Sequence, residues 1–188
     1  MRKLSMEQLN RKSAEEYEQA KKFPVVAVLE NVRSAYNVGS VFRTADAFLL
    51  ESIIITGYTA HPPQKEIRKT ALGAERSVPW KYFETTLMAI NHLRSLDYQV
   101  YAVEQVAESI SLENLKGLKV ERVAFIFGNE VSGVDADILS VCDGCIEIPQ
   151  FGTKHSINIS VAAGIVLWEA VKNQPAFTAS STSTGVNL

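Results

Sequence analysis

Three short runs of apolar residues constrain the fold of this chain more than any other feature of its sequence. They are FPVVAVLE, SIIIT and ERVAFIFG, each about the length of a strand. Their apolar residues are consecutive, which is typical of strands buried on both faces. Segments with helical spacing lie between them. The sequence therefore predicts an α/β fold, with a mainly parallel sheet and helices on both faces.

The length of 188 residues suits one domain with short extensions. Residues 1–23 mix basic and acidic side chains, which indicates a helical N-terminal extension that lies solvated on the surface. Residues 24–173 carry the alternating strands and helices and form the predicted domain. Residues 174–188 are uncharged and rich in Ser and Thr, so we expect a disordered tail.

The composition limits which kinds of partner the protein is expected to bind. The formal net charge of −2 argues against a protein that coats nucleic acid through bulk charge, although a local basic patch would still serve. Apolar runs fall short of the ~20 residues of a membrane span, and residues 1–23 show no signal-peptide core. We therefore predict a cytoplasmic protein without a membrane partner. Cys142 and Cys145 lack the second pair that a structural zinc needs, so we predict inert thiols and no metal.

Polar residues follow three predicted strands, after Glu30, Phe127 and Ile148. Parallel sheets bind ligands at the carboxyl ends of their strands, so these loops are the predicted site. In the first loop, Asn37 and Arg43 lie roughly on one side of a helix that Ser34 would cap. Two interpretations of the arginine are open: an ion pair within the helix, for example with Asp46, or an anion contact.

The second loop, FGNEVSGV, has a glycine on either side of a carboxylate. Gly128 and Gly133 let the backbone approach a ligand closely. The spacing is neither the dinucleotide fingerprint nor a phosphate-binding Walker loop. Glu130 is therefore either a capping carboxylate in a tight turn or a contact for a cationic or hydroxyl-bearing ligand.

The third loop leads into a helix that is apolar on nearly every side. Its sequence is IPQFGTKHSINISVAAGIVLWEAV, with Ser156 as the predicted N-cap and a helix from about residue 157 to 172. An all-round apolar helix is typically buried between layers. Asn158 and Ser160 then fall on the first turn, where side chains and free backbone N–H groups can both meet a ligand.

These three loops, in this order, resemble the motifs of the SpoU/TrmH group of RNA ribose methyltransferases, in the SPOUT superfamily. The matching stretches are NVRSAYNVGSVFRTAD, FGNEVSGV and IPQFGTKHSINISVAAG, and KTALGAERSVPW is similar to a further family segment. The resemblance implies a C-terminal deep trefoil (α/β) knot, a homodimer, and S-adenosyl-L-methionine bound in the knot. It implies methyl transfer to a ribose 2′-hydroxyl of tRNA or rRNA, without a metal.

The resemblance also implies roles for individual residues. Arg43 would act as the base, or as a cation that orients the 2′-oxygen and a phosphate, and Asn37 would position it or the substrate. Glu130, Ser156 and Asn158 complete the catalytic set by shaping the cofactor and ribose pockets. The residues expected against the cofactor are Val103, Phe127, Gly128, Asn129, Glu130, Gly133, Ile148, Pro149, Ser156, Ile157, Asn158 and Ala162.

The larger members of this group carry an RNA-binding domain ahead of the catalytic one. About 23 residues precede the first strand here, so we expect the dimer surface and the terminal segments to grip RNA. The basic candidates for this contact are Lys65, Arg68, Lys69 and Arg76, with a solvated surface as the alternative. His155 adjoins the third motif and is a further candidate for substrate contact.

Two other functions remain open at this point. A knotted RNA-binding protein that has lost catalysis and acts in ribosome or RNA assembly would fit the modest charge. A nucleotide-binding α/β protein that uses FGNEVSG would fit the glycine-bearing turn. Cofactor affinity separates the methyltransferase from the first alternative, and binding of any nucleotide tests the second.

Overall fold

The computed structural model describes residues 2–5, 8, 11–118, 121–175 and 177. Its centre is a seven-stranded sheet in which every neighbouring pair is parallel, in the order β3-β2-β1-β6-β4-β7-β5. This arrangement confirms the predicted α/β fold. The strands are β1 (Phe23–Glu30), β2 (Leu50–Thr56), β3 (Trp80–Phe83), β4 (Gln99–Val103), β5 (Ile110–Ser111), β6 (Val123–Phe127) and β7 (Gly144–Glu147).

Helices cover both faces of the sheet. One face packs against α1, α2, α3, α4, α7 and a 3₁₀ helix, and the other against α5 and α6. The helices are α1 (Ala14–Gln19), α2 (Ala35–Ala47), α3 (Lys65–Ala71), α4 (Ala74–Ser77), α5 (Thr86–Arg94), the 3₁₀ helix (Leu112–Leu118), α6 (Ala136–Leu139) and α7 (Ile159–Lys172). In the described part of the chain, no helix combines the length and hydropathy that crossing a membrane would need.

Side chains of the central strands alternate between the two cores. Val25 and Leu29 of β1 join the cluster beneath α2 and α7, whereas Val26 and Val28 join the cluster beneath α5. Because both sets are fully buried, the strand has no face on which polar residues would be stable. The double burial explains the continuous apolar runs in the sequence.

The N-terminal extension is more closely packed than its charge pattern predicts. Helix α1 begins with a capping box, in which the Glu16 N–H donates to Ser13 Oγ (3.2 Å) and the Ser13 N–H to Glu16 Oε2 (2.7 Å). Tyr17 then enters the core, with 6% of its surface exposed. The extension thus contributes a side chain to the hydrophobic core and is not only a solvated surface helix.

Packing also continues beyond residue 173. Gln174 is buried, and the Phe177 ring lies 6.3 Å from that of Phe23 and 5.6 Å from that of Trp168. The start of the expected disordered tail therefore lies against the domain. Residues 178–188, which make up the rest of that predicted tail, lie outside the described residues.

Helix α7 corrects two predictions. It begins at Ile159, and its N-cap is Asn158, whose side chain accepts a hydrogen bond from the Ser160 N–H; Ser156 precedes the helix and does not cap it. The predicted all-round burial is also wrong. Val161, Ile165 and Trp168 lie four and three residues apart on one stripe and are 52%, 40% and 43% exposed. Hydropathy alone cannot separate an interior side from an apolar side that faces solvent.

Candidate active site

A cavity of about 430 Å³ opens at the carboxyl edge of the sheet. Its walls come from the segments that follow β4, β6 and β7 and from the segment that leads into α7. It is lined by Val103, Glu104, Gln105, Phe127, Gly128, Asn129, Glu130, Val131, Ser132, Gly133, Ile146, Glu147, Ile148, Gln150, His155, Ser156, Ile157, Asn158, Ile159 and Ala162. A cavity of this volume is large enough for a small organic cofactor.

A tight turn after β6 forms one wall of the cavity. Backbone hydrogen bonds join Asn129 and Gly133 in both directions, at 2.9 and 3.0 Å. A Cβ atom on Gly128 would lie 2.3 Å from the carbonyl carbon of Gly133, and Gly133 itself has a φ of 71°. Both positions thus require glycine, for different reasons: the first for close approach and the second for a left-handed backbone.

The Asn129 side chain holds this turn to its surroundings. Its Oδ1 accepts from the N–H groups of Val131 (2.8 Å) and Ser132 (3.1 Å). Its Nδ2 donates to the Asn31 carbonyl and to the Tyr58 hydroxyl, both at 2.8 Å. The side chain predicted to contact a cofactor is therefore engaged in fixing the loop that lines the cavity.

Glu130 holds the start of the neighbouring helix α2, whose N-cap is Ser34 as predicted. Its carboxylate accepts hydrogen bonds from the N–H groups of Arg33 (2.9 Å) and Ser34 (3.1 Å) and from Asn37 Nδ2 (3.0 Å). The free N–H groups and the positive end of the helix dipole both favour a carboxylate there. Glu130 thus reinforces the N-terminus of α2 from outside that helix, and the helix that follows its own turn begins at a different N-cap, Asp135.

These contacts change the pKa of Glu130. Burial raises the pKa, but the hydrogen bonds from Arg33, Asn37 and Ser34 favour the ionised form more strongly, and the net shift is downward. Glu130 is therefore an anion at neutral pH, already bonded to three donors. This state suits a structural anchor of the site better than an acid that exchanges protons.

A chain of amide side chains joins the first and third predicted loops. Asn158 Nδ2 donates to Asn37 Oδ1 over 3.4 Å, while Asn158 Oδ1 accepts from the Ser160 N–H (2.9 Å) and Oγ (2.6 Å). Because Asn37 also bonds Glu130, one network links the starts of α2 and α7 through the turn after β6. The three sequence motifs therefore meet in space.

The predicted cofactor residues gather around the cavity. Eleven of the twelve line it, and the other, Pro149, lies in an adjoining depression with Gln150 and Phe151. Among the predicted catalytic residues, Glu130, Ser156 and Asn158 line the cavity, and Asn37 bonds two of them. Whether these residues bind a cofactor stays a prediction that the geometry supports.

Arg43 is the exception. It is exposed on α2 and borders a separate depression with Ser40, Thr44, Phe48 and Lys69, outside the cavity of its own chain. Among the described residues it makes no ion pair, so the suggested partnership with Asp46 is not formed. Its guanidinium is therefore available to a ligand or to a second molecule.

Sequence reasoning missed several residues of the cavity. Glu104 follows β4, and its carboxylate accepts from the Val134 N–H (3.2 Å) and the Gln105 N–H (2.9 Å). Glu147 also lines the wall, as does His155, which the sequence offered as a candidate for substrate contact. Glu104 and Glu147 lie at the ends of strands, as Glu30 does. A glutamate at the end of a buried strand was therefore a sequence signal that could have found both residues. Glu30 itself is buried and accepts from the Asp135 N–H (3.1 Å), which anchors the start of α6.

The two cysteines are free thiols. Burial is the main cause that raises the pKa of Cys142 to about 12, and burial also raises the pKa of Cys145. Thiols of this kind are weak nucleophiles at neutral pH, as predicted. The described residues contain no group of three or more His, Cys, Asp or Glu side chains placed to hold a metal ion.

Replacing Glu130 with glutamine tests its anchoring role. Glutamine places an NH₂ group against backbone donors, so we expect the free energy of unfolding to fall by about 1–3 kcal/mol at pH 7. Because the folded pKa is depressed, the parent's advantage is present above the unfolded value near 4.3 and is lost as pH falls through the lower folded pKa. Urea unfolding at pH 7 and at pH 3 measures both. Glu108→Gln, at an exposed site, should change neither; an equal loss in both variants would contradict the anchoring role.

Comparison with known proteins identifies the family. The model of the SpoU rRNA Methylase family matches residues 24–168, so the chain belongs to this family. The chain is 30% identical over 151 residues to the 23S rRNA (guanosine-2′-O-)-methyltransferase RlmB of Xylella fastidiosa, covering 80% of this chain and 59% of that protein. It is 30% identical over 142 residues to the tRNA (guanosine(18)-2′-O)-methyltransferase of Borreliella burgdorferi, covering 75% and 63%. The chain thus spans about six-tenths of the length of these curated relatives.

Solved structures share the fold. An AdoMet-bound rRNA methyltransferase from Sinorhizobium meliloti superposes with a TM-score of 0.72 at 29% identity, covering 84% of this chain and 58% of that one. The TrmH/SpoU tRNA modifying enzyme of A. aeolicus gives a TM-score of 0.76 at 23% identity, covering 89% and 83%. The second likeness, at its lower identity, bears on the fold alone.

Proposed function

We propose that this protein is an S-adenosyl-L-methionine-dependent methyltransferase that methylates a ribose 2′-hydroxyl in tRNA or rRNA. The observation that carries the proposal is the cavity at the carboxyl edge of the sheet, where the three family motifs meet in one hydrogen-bonded network. Membership of the SpoU family supports the reaction, and the names of the relatives support rRNA or tRNA as the substrate class.

The cavity fits the proposed cofactor chemically. Val103, Phe127 and Ile148 give apolar surface for an adenine ring, while Glu104 and Glu147 give negative charge for a sulfonium and an ammonium group. The close packing of the turn at Gly128 leaves backbone groups next to the ligand. When bound, S-adenosyl-L-methionine supplies a methyl group on a cationic sulfur, chemistry that requires no metal.

The protein's own residues then have to orient and activate a poor nucleophile. A ribose hydroxyl needs proton removal or polarisation in the transition state, and general-base help is typically worth about 10²–10⁴ in rate. Ser156 and Asn158 border the cavity with exposed side chains that can bond a ribose. Asn37 fixes Asn158 and Glu130. The planar fork of a guanidinium matches the geometry of a phosphate, so we assign Arg43 to hold the 2′-oxygen and a phosphate.

We further propose a homodimer whose subunits share each site. Val161, Ile165 and Trp168 form an exposed apolar stripe on α7, and the Trp168 ring lies 5.4 Å from that of Phe48. Phe48 also borders the depression that holds Arg43. A second subunit that covers the stripe would place its cavity near this arginine. The deep trefoil knot implied by the SPOUT relatives belongs to the same proposal.

We assign the activity to residues 24–173, with residues 1–23 as an extension packed through Tyr17. A cytoplasmic location is part of the proposal, because tRNA and rRNA, the proposed substrates, function there. The homologous segment carries the three motifs and the cavity, so this unit contains the groups that the reaction needs.

Calorimetry and methyl transfer test the proposed function. We expect micromolar affinity for S-adenosyl-L-methionine and labelled-methyl transfer into unmodified tRNA or rRNA transcripts, with 2′-O-methyl nucleosides in the digest. Gly128→Ala should abolish cofactor binding, because the new Cβ would lie 2.3 Å from the backbone of Gly133. Gly117→Ala is the matched control, since a Cβ there meets nothing within 4 Å.

The results separate this function from its alternatives. RNA binding without cofactor affinity would overturn the proposal in favour of a knotted RNA-binding protein acting in assembly. Cofactor binding without transfer to any tRNA or rRNA transcript would overturn the RNA substrate. Transfer to a base instead of a ribose would retain the cofactor site and reject the 2′-hydroxyl as acceptor.

A further inference from the structure

Four aromatic side chains form a partly exposed surface along the edge strand β3, outside the cavity. They are Tyr58, His61, Trp80 and Tyr82, and we name this surface the aromatic strip. The His61 ring stacks on Trp80 at 5.7 Å with an interplanar angle of 24°, and lies 5.4 Å from Tyr82. Tyr58 and Tyr82 are 66% and 42% exposed. The strip thus offers the exposed rings of Tyr58 and Tyr82 beside a stacked pair of rings.

The aromatic strip is held in place by hydrogen bonds at its cavity end. The Tyr82 hydroxyl donates to the Gly57 carbonyl over 3.0 Å, and the Tyr58 hydroxyl accepts from Asn129 Nδ2 at 2.8 Å. Asn129 belongs to the turn that lines the cavity. One end of the strip is therefore bonded to the wall of the candidate active site, and its other rings lie on the outer strand of the sheet.

Cations flank the aromatic strip. Lys65 and Arg68 are exposed on α3, which begins four residues after His61. Lys69 lies over the Tyr36 ring and Lys81 over the Phe83 ring, so these two are directed away from the strip. Within the described residues none of the four forms an ion pair, although Glu66 and Glu84 lie nearby in the sequence. The strip thus has exposed rings with two cations, Lys65 and Arg68, close to it in the sequence, on a chain whose net charge is −2.

We propose that the aromatic strip binds unpaired RNA nucleotides next to the nucleotide that enters the cavity. This inference rests on the proposed function and names how the substrate is held. Aromatic side chains stack on the bases of single strands, and nearby cations track the backbone phosphates. A base in a duplex is already stacked on its neighbours and cannot stack on these rings, so the strip selects a loop or an unpaired segment.

Trp80 provides a direct reporter of binding. The chain has two tryptophans, so Trp168→Phe leaves Trp80 as the fluorophore, and this background is used for the fluorescence measurements alone because Trp168 lies in the proposed dimer interface. The probes are a short single-stranded oligoadenylate and an RNA duplex of equal length. We expect the single strand to quench the fluorescence and to bind more tightly than the duplex. Equal affinity for both would overturn the proposal.

Substitutions separate stacking from charge. Tyr82→Ala and His61→Ala should each weaken oligoadenylate binding about fivefold to a hundredfold. Tyr82→Phe, which keeps the ring, should bind like its parent. Lys65→Ala should reduce the slope of log affinity against log salt by about 0.7, whereas the aromatic variants should leave the slope unchanged. Affinity unchanged in both alanine variants would refute base stacking.

A protein partner at the edge strand is the competing outcome. If the alanine variants alter self-association in sedimentation runs and leave oligoadenylate affinity unchanged, the strip pairs with protein and the proposal is wrong. Leu87→Ala removes an exposed apolar side chain of α5 and is the matched control; it should change neither reading.

Methyl transfer keeps this proposal distinct from the proposed function. Tyr82→Ala should raise KM for RNA more than it lowers kcat, with the calorimetric affinity for S-adenosyl-L-methionine retained. A parent that transfers methyl groups, with an unchanged KM in Tyr82→Ala, would reject the strip and retain the function. A parent protein that binds oligoadenylate through the strip but binds no cofactor would retain the strip and reject the proposed function.

Discussion

Arg43→Ala should lower the rate of methyl transfer to RNA by about 10²–10⁴ and leave cofactor affinity unchanged. The arginine lies outside the cavity of its own chain, so its loss removes substrate activation without changing the cofactor's walls. Arg43→Lys keeps the charge but not the planar fork, and should restore part of the rate. Single-turnover transfer and calorimetry measure the two effects. Arg122→Ala, at the start of β6 on the opposite edge of the sheet, is the control and should retain the parental rate.

A mixing experiment shows which subunit supplies Arg43. Dimers formed from Arg43→Ala and Gly128→Ala subunits contain one intact cavity and one intact arginine on different chains. If the site is shared, the mixture regains methyl transfer although each variant alone is inactive. Inactivity of the mixture, with heterodimers present, would place the arginine and the cavity of the same chain in one site.

If the proposed dimer forms through α7, Ile165→Asp should convert it to a monomer and abolish methyl transfer. Ile165 lies in the middle of the exposed stripe on α7, 40% exposed in the single chain, so a carboxylate there is tolerated in the monomer. In a dimer it would be buried without a partner, at a cost of several kcal/mol. Sedimentation and transfer assays at the same protein concentration test both effects.

Leu96→Asp gives the matched comparison. Leu96 is 44% exposed after the end of α5 and lies outside the α7 stripe, so this variant should remain dimeric and active. A dimeric and active Ile165→Asp would show that α7 is not the interface. A monomeric but fully active variant would instead refute the shared site.

The sequence predicted the sheet well because its signal is local. Residues buried on both faces of a strand must be apolar, and no long-range information is needed to read that pattern. The same signal misled at α7, where Trp168 and Ile165 are as apolar as the core but lie at the surface. Hydropathy does not distinguish an apolar side chain at an interface between chains from one in the interior of a single chain.

The sequence indicated which residues form the site but not which hydrogen bonds join them. Resemblance selected the residues around the cavity, whereas the residues of the second loop by themselves left Glu130 with two open roles. Its bonds to the start of α2 join residues 93 to 97 positions apart, and the spacing of one motif carries no information about such a contact. The start of α7 was misplaced for a related reason: Asn158 bonds both Asn37 and Ser160, which favours it over Ser156 as the cap.

The position of β1 in the sheet has a consequence for synthesis of the chain. Its neighbours are β2, made soon afterwards, and β6, whose pairing joins Val25 to Val123. Until β6 emerges from the ribosome, β1 has an open edge, and the cavity is complete only after Ala162 has been made. Non-local pairing of this kind is slow to form. We therefore expect nascent chains to need chaperone protection of that edge, and cofactor to stabilise only finished molecules.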